Sequence, residues 1–348
     1  MFESYTIKDI AKALGLSTST VSRALNGSHE IGTETKRLVL EYAEKINYRP
    51  NPIALSLKEQ KSHSIGVVVC EVANSYFSQA INGIESIAYN RGYHVIVTQT
   101  HESAVREEAN IQHLLSRHVD GLLISLSAQT TDTTPFKYLQ DKGFPIVFFD
   151  RVAADIETHK ITTDNYKGAF EAVELLINEG FTNIAYLTIS DNLVIMKERL
   201  AGYKAALDAY NLPFKQEYVK QCSQGGLISE DVENAVTCLL NMEDRPDAIF
   251  TASDRLTTSC LFTIKRMGLK IPADIAIAGF TNSDVAELFD PPLTVVRQPA
   301  FQIGQIATEI LIKAIESKRP VTEFAAEQLQ TELISRASSV KKVLSNKL

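Results

Sequence analysis

The stretch TIKDIAKALGLSTSTVSRALN, residues 6–26, decides how the amino-terminal part of the chain folds. Its apolar residues fall at helical spacing in two short blocks, separated by Gly15, a residue that breaks helices and permits a tight turn. Thr6 and Asp9 have the spacing of a capping box, and Ser17 is a suitable cap for the second block. The spacing therefore predicts two short helices joined by a turn.

The second predicted helix carries small hydroxyl side chains and one arginine opposite its apolar residues. Thr18, Ser19, Ser22 and Arg23 share this face. Such a helix, held at an angle by a compact partner helix, is typical of the recognition helix of a helix-turn-helix, which enters the major groove of DNA. The same pattern also fits a helical hairpin whose polar side faces water, so further evidence is needed.

A third helix is predicted over residues 33–47, with five residues expected to face inward: Leu38, Val39, Tyr42, Ala43 and Ile46. Charge supports a DNA contact in this part of the chain. Residues 1–61 carry nine Lys/Arg and seven Asp/Glu, a net charge of +2, whereas the whole chain carries -7 and the remainder therefore -9. The positive excess is small, but it lies in the segment with the helix-turn-helix pattern.

A second informative segment, YRPNPIALSL, lies immediately after the third helix. Asn51 is a suitable helix cap and Pro52 suits the first helical position. The resulting helix has only about two turns, below the ~12–15 residues at which isolated helices become marginal, so it is expected to form only when something packs against it. Leu57 on such a helix can wedge between base pairs in the minor groove; the alternative is a strap buried against the larger domain.

Composition sets the broad class of the protein. With 348 residues, 45% hydrophobic and 22% charged, the chain is long enough for two or three soluble domains. No apolar run reaches the ~20 residues of a membrane helix, and no signal segment opens the chain, so a cytoplasmic location is expected. The four cysteines are widely spaced without a CxxC pair. They predict free thiols, with neither a metal site nor a disulfide framework.

From residue 65 onward, short apolar runs alternate with helical segments. The runs are Ile65–Cys70, His94–Thr98, Gly121–Ile124, Ile146–Phe149, Ile184–Leu187, Ala248–Thr251, Ile275–Gly279 and Thr294–Arg297. Such alternation predicts parallel sheets covered on both faces, and the length favours two α/β lobes with a cleft between them. Ligands of such sheets bind at the carboxyl ends of the strands. The last residues, 338–348, are expected to form a frayed tail.

Several motifs in fixed order identify a family resemblance. They are TIKDIAKALGLSTSTVSRALN, YRPNPIALSL, IGVVV, VFFDR, TTDN, RLAGY, PDAIF with SDRL, IPADIAIAGFTN and LTVVRQP. Over nearly its full length the chain resembles the LacI/GalR bacterial transcription regulators. The resemblance implies an all-α helix-turn-helix DNA-binding domain over residues 1–49 and a hinge helix with its linker over 50–63. It also implies a two-lobed, periplasmic-binding-protein-like α/β effector domain with parallel doubly wound sheets over 64–337.

The resemblance further implies a repressor that binds a palindromic operator as a homodimer. Three residues match the family's base-reading positions: Thr18, Ser19 and Arg23. Bidentate pairing of an arginine with guanine contributes ~1–3 kcal/mol of discrimination. Ser17, Thr20 and Asn26 are expected to contact phosphates, which sets the register without reading sequence. In the hinge, Leu57 matches the intercalating leucine, and Ala54 lies one turn earlier on the same face.

For the effector, the resemblance implies contacts in the cleft between the lobes. The matching residues are Tyr76, Phe77, Asp150, Arg151, Arg199, Ser253, Asp254, Thr281 and Gln298. Aromatic faces together with Asp, Arg and Gln suit a sugar or sugar derivative. Two alternatives stay open: Asp150 and Arg151 as a structural ion pair, and Phe77 as a core residue. Thr281 departs from the family, which commonly has a carboxylate there.

Two other classes of protein compete with the regulator. A solute-binding protein of a transporter would share the two lobes, but it has no use for residues 1–60 and needs a signal peptide. An enzyme would need reactive residues, and the chain has no GxSxG, Walker A, GxGxxG or metal-ligand spacing. We therefore expect no enzymatic activity and no cofactor.

Overall fold

The structure is a computed structural model that describes residues 5–48 and 61–341. It divides into two compact units, Met1–His63 and Ser64–Leu348. The predicted hinge residues Ala54 and Leu57 lie outside the described residues. No helix of the described part is long and apolar enough to cross a membrane.

The amino-terminal unit contains the three predicted helices: α1 (Ile7–Leu14), α2 (Thr18–Leu25) and α3 (Thr33–Lys45). The capping box forms as expected, with the Thr6 amide and hydroxyl both donating to Asp9 Oδ2 at 2.7 Å. Ser17 Oγ accepts a hydrogen bond from the Thr20 amide at 3.1 Å and so caps α2. Gly15 ends α1 in the left-handed conformation, at φ 63°. The sequence pattern thus predicted both helix starts and the turn correctly.

A small core holds these helices together. Its buried residues are Ile10, Ala11, Val21, Ala24, Val39 and Ala43. The expectation that Leu38 faces inward was wrong, because its side chain is 45% exposed. Successive residues of a helix point about 100° apart, so Val39 and Ala43, at i and i+4, take the inner face and turn Leu38 toward water.

The second unit has two lobes, each with a six-stranded sheet. The strands are β1 (Ser64–Val69), β2 (His94–Gln99), β3 (Gly121–Ile124), β4 (Ile146–Phe149), β5 (His159–Thr163), β6 (Ile184–Thr188), β7 (Val219–Gln221), β8 (Ala248–Thr251), β9 (Ala276–Phe280), β10 (Thr294–Arg297), β11 (Ala326–Leu329) and β12 (Glu332–Ile334). In the first lobe the strand order is β11-β5-β4-β3-β1-β2, with every neighbouring pair parallel. In the second lobe it is β12-β10-β9-β8-β6-β7, parallel except for the pair β10 and β12.

Helices cover the sheets, as expected of doubly wound α/β lobes. They are α4 (Ser75–Asn90), α5 (Ala104–Ser116), α6 (Thr134–Asp141), α7 (Asn165–Asn178), α8 (Val194–Ala209), α9 (Ser229–Leu240), α10 (Asp254–Arg266) and α11 (Ala300–Glu316), with short 3-10 turns at Gln216–Tyr218 and Gln224–Gly226. All eight predicted strand runs are present, and their bounds agree to within one residue. The fold class is therefore confirmed.

The chain crosses between the lobes after β5, after β10 and between β11 and β12. The second crossing brings α11 back onto α4 of the first lobe. Two glycines permit this close packing: a Cβ on Gly83 would lie 2.0 Å from the Phe301 carbonyl oxygen, and one on Gly304 would lie 2.1 Å from that of Ala80. The packing fixes the β10–α11 connection, which carries Gln298, between the lobes.

The carboxyl-terminal boundary requires a correction. Ser338 and Ser339, assigned to a frayed tail, are fully buried. The Ser338 hydroxyl donates to the Ile277 carbonyl at 2.7 Å and accepts from the Thr294 amide at 2.8 Å. A search for hydrophobic patterns does not detect buried serines, because they are polar. The hydrogen bonds of Ser338 extend the ordered domain beyond residue 337.

Candidate functional site

The first candidate surface is the outer face of α2. Ser17, Thr18, Ser19, Arg23 and Asn26 are exposed, whereas Thr20 and Ser22 are half-buried. This face therefore presents the side chains that the sequence analysis assigned to DNA.

Arg23 has a partner on this surface. Its guanidinium contacts the Glu30 carboxylate at 2.9 Å, and the two side chains are 59% and 54% exposed. An exposed pair of this kind is worth only ~0–1 kcal/mol. Arg23 can therefore exchange Glu30 for another acceptor at little cost.

The second candidate site is a cavity between the two lobes. Eight of the nine residues predicted to contact an effector line it. The full lining is Asn74, Tyr76, Phe77, Asp150, Arg151, Ile195, Met196, Arg199, Ser253, Asp254 and Gln298. Residues that are far apart in sequence thus meet at the carboxyl ends of the strands, where α/β sheets bind ligands.

The first lobe supplies an aromatic wall. Asn74 caps α4 by accepting a hydrogen bond from the Tyr76 amide at 2.9 Å. The rings of Tyr76 and Phe77 meet edge to face, with centroids 5.3 Å apart. Phe77 is both a core residue and a cavity residue, so the two interpretations are compatible. The Tyr76 hydroxyl is buried near the Asp150 carboxylate; burial first, and then the negative charge of Asp150, raise the pKa of Tyr76 well above its ordinary value.

Asp150 and Arg151 follow β4 directly. Burial raises the pKa of Asp150, although the guanidinium groups of Arg151 and Arg199 oppose the shift. An Asp150 oxygen lies 3.8 Å from Arg151 Nε, whereas Arg151 Nη1 lies 2.9 and 2.7 Å from the two oxygens of Glu102. Arg151 is therefore part of a structural ion pair, but its main partner is Glu102.

Arg199 is the most constrained residue of the second lobe's wall. Its Nε and Nη2 donate to Asn165 Oδ1 at 2.9 and 2.7 Å, and its Nη1 donates to the Ala252 carbonyl. The guanidinium carbon lies 3.7 Å from the centre of the Phe280 ring. Burial lowers the pKa of Arg199 to about 10, so the group stays protonated at neutral pH. The guanidinium is thus held in one orientation before any ligand binds.

Asp254 opens α10 and is oriented by three donors. The Thr281 hydroxyl donates to it, and the amides of Ser75 and Asn282 also form hydrogen bonds with its carboxylate. Burial nevertheless raises its pKa. Thr281 itself is buried behind Asp254 and does not line the cavity. The structure thus places Thr281 next to the predicted site, with its hydroxyl directed at a residue that does line it.

Gln298 lies where the chain crosses between the lobes. Its side-chain amide donates to Thr163 Oγ1 at 3.1 Å, and its backbone amide donates to Asn282 Oδ1 at 3.0 Å. Asn282 in turn donates to Gln79 on α4 at 2.8 Å. This network joins both lobes around the cavity.

Sequence reasoning missed three residues of the lining. Asn74, which caps α4 next to the Tyr76–Phe77 pair, was not predicted to line the cavity. Ile195 and Met196 lie four and three residues before Arg199 on α8, so helical periodicity could have placed them on its face. Aromatic faces, carboxylates, guanidinium groups and amides suit a polar ligand with several hydroxyls. The described residues contain no cluster of His, Cys, Asp and Glu that could hold a metal ion.

Comparisons with known proteins match both parts of the chain. Residues 6–51 match the family model of bacterial regulatory proteins of the lacI family, and residues 173–339 match that of a periplasmic binding protein-like domain. The chain is 32% identical over 340 residues to the HTH-type transcriptional repressor PurR of Vibrio campbellii, which covers 97% of this chain and 99% of the relative.

Two solved structures extend the comparison. A lac repressor dimer bound to operator and the anti-inducer ONPF has a TM-score of 0.82 at 24% identity, covering 97% of this chain and 100% of that one, which shows the shared fold. A LacI family transcriptional regulator from Enterococcus faecium with bound ribose has a TM-score of 0.69 at 27% identity. This match covers 80% of the present chain and 98% of the chain of the Enterococcus faecium regulator.

Proposed function

Because the chain belongs to the LacI family of bacterial regulatory proteins, we propose that it represses transcription from a palindromic operator as a homodimer controlled by a sugar or sugar derivative. Its relatives are transcriptional repressors and not enzymes. Operator DNA lies in the cytoplasm, and we place the protein there.

One observation carries the proposal: an exposed helix-turn-helix face and a buried ligand cavity occur in the same chain. Thr18, Ser19 and Arg23 would read bases, and Ser17, Thr20 and Asn26 would contact phosphates, with Ser22 on the same face. A solute-binding protein has no use for such a helix. The combination favours a regulator that senses a small molecule.

We assign the effector to the sugars because of the chemistry of the cavity. Asp150, Asp254 and Gln298 offer acceptors and donors to hydroxyl groups, and the Tyr76–Phe77 wall offers an apolar surface to the C–H face of a ring. The guanidinium groups of Arg151 and Arg199 already donate hydrogen bonds to protein groups, Glu102 and Asn165 respectively. The ribose bound to the Enterococcus faecium regulator is a precedent in a related protein.

Control of the operator would pass through residues 50–63. A two-turn hinge helix has almost no stability alone, so a typical coupling of ~1–3 kcal/mol between two sites is enough to switch it. Effector in the cleft would change the angle between the lobes and hence the spacing of the hinges in the dimer. Leu57→Ala is expected to weaken operator binding and DNA bending in intact dimers; unchanged bending would contradict this route.

The test uses the full-length protein. Palindromic duplexes selected from genomic fragments are measured by gel shift, and a panel of sugars is screened by thermal shift, because a ligand that binds the native state raises the melting temperature. Hypoxanthine serves as the nucleobase control. Preference for a palindrome over random duplex supports the regulator, and no preference contradicts it. Stabilisation by hypoxanthine but by no sugar would contradict the effector class.

A further inference from the structure

Glu102 is a buried carboxylate that the proposed contacts do not use. It lies in the connection between β2 and α5 and is only 5% exposed. Both His101 and Glu102 have left-handed backbones, at φ 48° and 62°. Such conformations are unfavourable for residues other than glycine and cluster at functional sites. The amides of Thr100 and His101 hold this connection against the end of β1, each with a hydrogen bond of 2.9 Å.

The carboxylate of Glu102 holds Arg151 in place. Arg151 Nη1 donates to both of its oxygens, at 2.9 and 2.7 Å, and the Ala128 amide donates to Oε2 at 2.8 Å. The same nitrogen lies 3.0 Å from Cys70 Sγ. Hydrogen bonds between charged groups are the strongest of their kind. Glu102 therefore determines where Arg151, a residue of the cavity wall, can point.

The other side of Glu102 meets the opposite lobe. A Cβ added to Gly225 would lie 2.5 Å from Glu102 Oε1 and 2.7 Å from its Cγ. Gly225 also has a left-handed backbone, at φ 67°. The backbone of the second lobe thus rests directly on the Glu102 side chain, and the contact joins the two lobes.

We propose that Glu102 is a positioning residue of the effector site, which orients Arg151 toward the ligand and contacts Gly225 on lobe closure, so that closure and the orientation of Arg151 depend on each other. The proposal rests on the proposed function for the identity of the cavity as an effector site. If the lobes separate, Glu102 loses its cover and becomes accessible to water. The contacts that hold Arg151 then come from the first lobe only.

Cys70 provides a readout that needs neither ligand nor DNA. It is buried, lies against Arg151 and lines a second cavity together with Glu102 and Gly225. Its alkylation by N-ethylmaleimide in the full-length chain is followed by peptide mapping. Cys222 and Cys260, which are buried in the core of the second lobe, report on folding, and the exposed Cys238 reports on the reagent.

Gly225→Ala is the decisive variant, and Gly268→Ala is its matched control. Both glycines have left-handed backbones, but a Cβ on Gly268 meets nothing within 4 Å. We expect Gly225→Ala to raise the alkylation rate of Cys70 about tenfold and Gly268→Ala to change it less than about twofold, with Cys222 and Cys260 protected in both. In the Glu102→Ala background, the addition of Gly225→Ala is expected to have less than about a twofold effect, because the clash is gone. Equal Cys70 rates in wild type and Gly225→Ala would overturn the proposal.

A second readout links Glu102 to ligand binding. Isothermal titration with D-ribose is expected to show an affinity about tenfold lower for Glu102→Gln than for wild type. Glu107→Gln is the control, because Glu107 is a buried carboxylate of the same lobe whose hydrogen bonds go to Ser127 and Thr130 instead. Equal affinities of wild type and Glu102→Gln would contradict the positioning role. If the protein bound no palindromic duplex, the proposed function would be refuted but the role of Glu102 would not, because the alkylation rates of Cys70 are measured without DNA.

Discussion

The outer face of α2 and the interlobe cavity each carry an arginine, but the two arginines lie in opposite environments. Arg23 is 59% exposed and has one exposed partner, Glu30. Arg199 is 2% exposed and is held by Asn165, the Ala252 carbonyl and the Phe280 ring. A surface that must exchange water and protein partners for DNA benefits from weak contacts, whereas a cavity selective for one small molecule benefits from rigid ones.

Arg199→Ala should have the largest effect and sharpen this contrast. The substitution removes the guanidinium that donates to Asn165 Oδ1 and to the Ala252 carbonyl, so we expect the free energy of unfolding to fall by about 3 kcal/mol. The affinity for the sugar that binds wild type should fall about 100-fold. Chemical denaturation and calorimetry measure the two quantities.

Arg266→Ala is the control for Arg199→Ala. Arg266 is an exposed arginine of the same lobe that pairs with Glu233. Its removal should change stability by less than about 1 kcal/mol and leave sugar affinity unchanged. If Arg199→Ala bound the sugar as tightly as Arg266→Ala, the rigid arginine would not be part of the site.

Arg23→Ala should have the next largest effect, on DNA alone. Loss of one bidentate base contact should weaken operator binding by ~1–3 kcal/mol, about 5- to 150-fold, with stability unchanged because the side chain is exposed. Arg37→Ala removes the same charge from α3, where Arg37 pairs with Glu34 and Glu41. Fluorescence anisotropy on operator duplex compares the two variants. Equal losses would mean that Arg23 contributes only its charge.

Thr281→Val tests whether an indirect contact matters in the cavity. The variant keeps the shape of the side chain but removes the hydroxyl that donates to Asp254. We expect sugar affinity to fall about tenfold, since a hydrogen bond to a charged group contributes ~1.5–3 kcal/mol. The control is Thr258→Val, because the Thr258 hydroxyl donates to the backbone carbonyls of Asp254 and Arg255 in its own helix. A loss no greater than that of the control would leave Thr281 without a role.

Glu30→Gln should have the smallest effect, and in the favourable direction. Removal of the carboxylate frees Arg23 and takes a negative charge away from the DNA-facing surface, so operator affinity should rise about two- to fivefold at low salt. Glu44→Gln changes the same charge on the exposed side of α3. If both variants bound alike, the Arg23–Glu30 pair would not compete with DNA.

The difference between the two regions also explains how much of the molecule the sequence predicts, because α2 depends on local signals and the cavity on contacts between distant segments. Helix spacing and caps are local, and so Thr6, Gly15 and Ser17 revealed α1, the turn and α2 correctly. Short apolar runs likewise predicted eight strands. The missed strands β5, β7, β11 and β12 are short or rich in polar residues, and their pairing comes from neighbours that are distant in sequence.

The prediction of the cavity residues depended on the family resemblance, because these residues come from segments that are far apart along the chain. Position matching found Tyr76, Asp150, Arg199 and the others, but it could not show that Thr281 contacts Asp254. It also gave no sign of Glu102, whose importance depends on Arg151 and Gly225 meeting it in space. Contacts of this kind are properties of the fold and leave no local pattern.

The most direct test of the central claim is one titration of full-length protein onto its selected palindromic duplex, with and without the sugar that binds it. If the effector and the operator are coupled as proposed, the sugar changes the operator affinity of wild type at least about fivefold, in either direction, and that of Arg199→Ala not at all. A wild-type affinity that is the same with and without saturating sugar would contradict the proposed coupling.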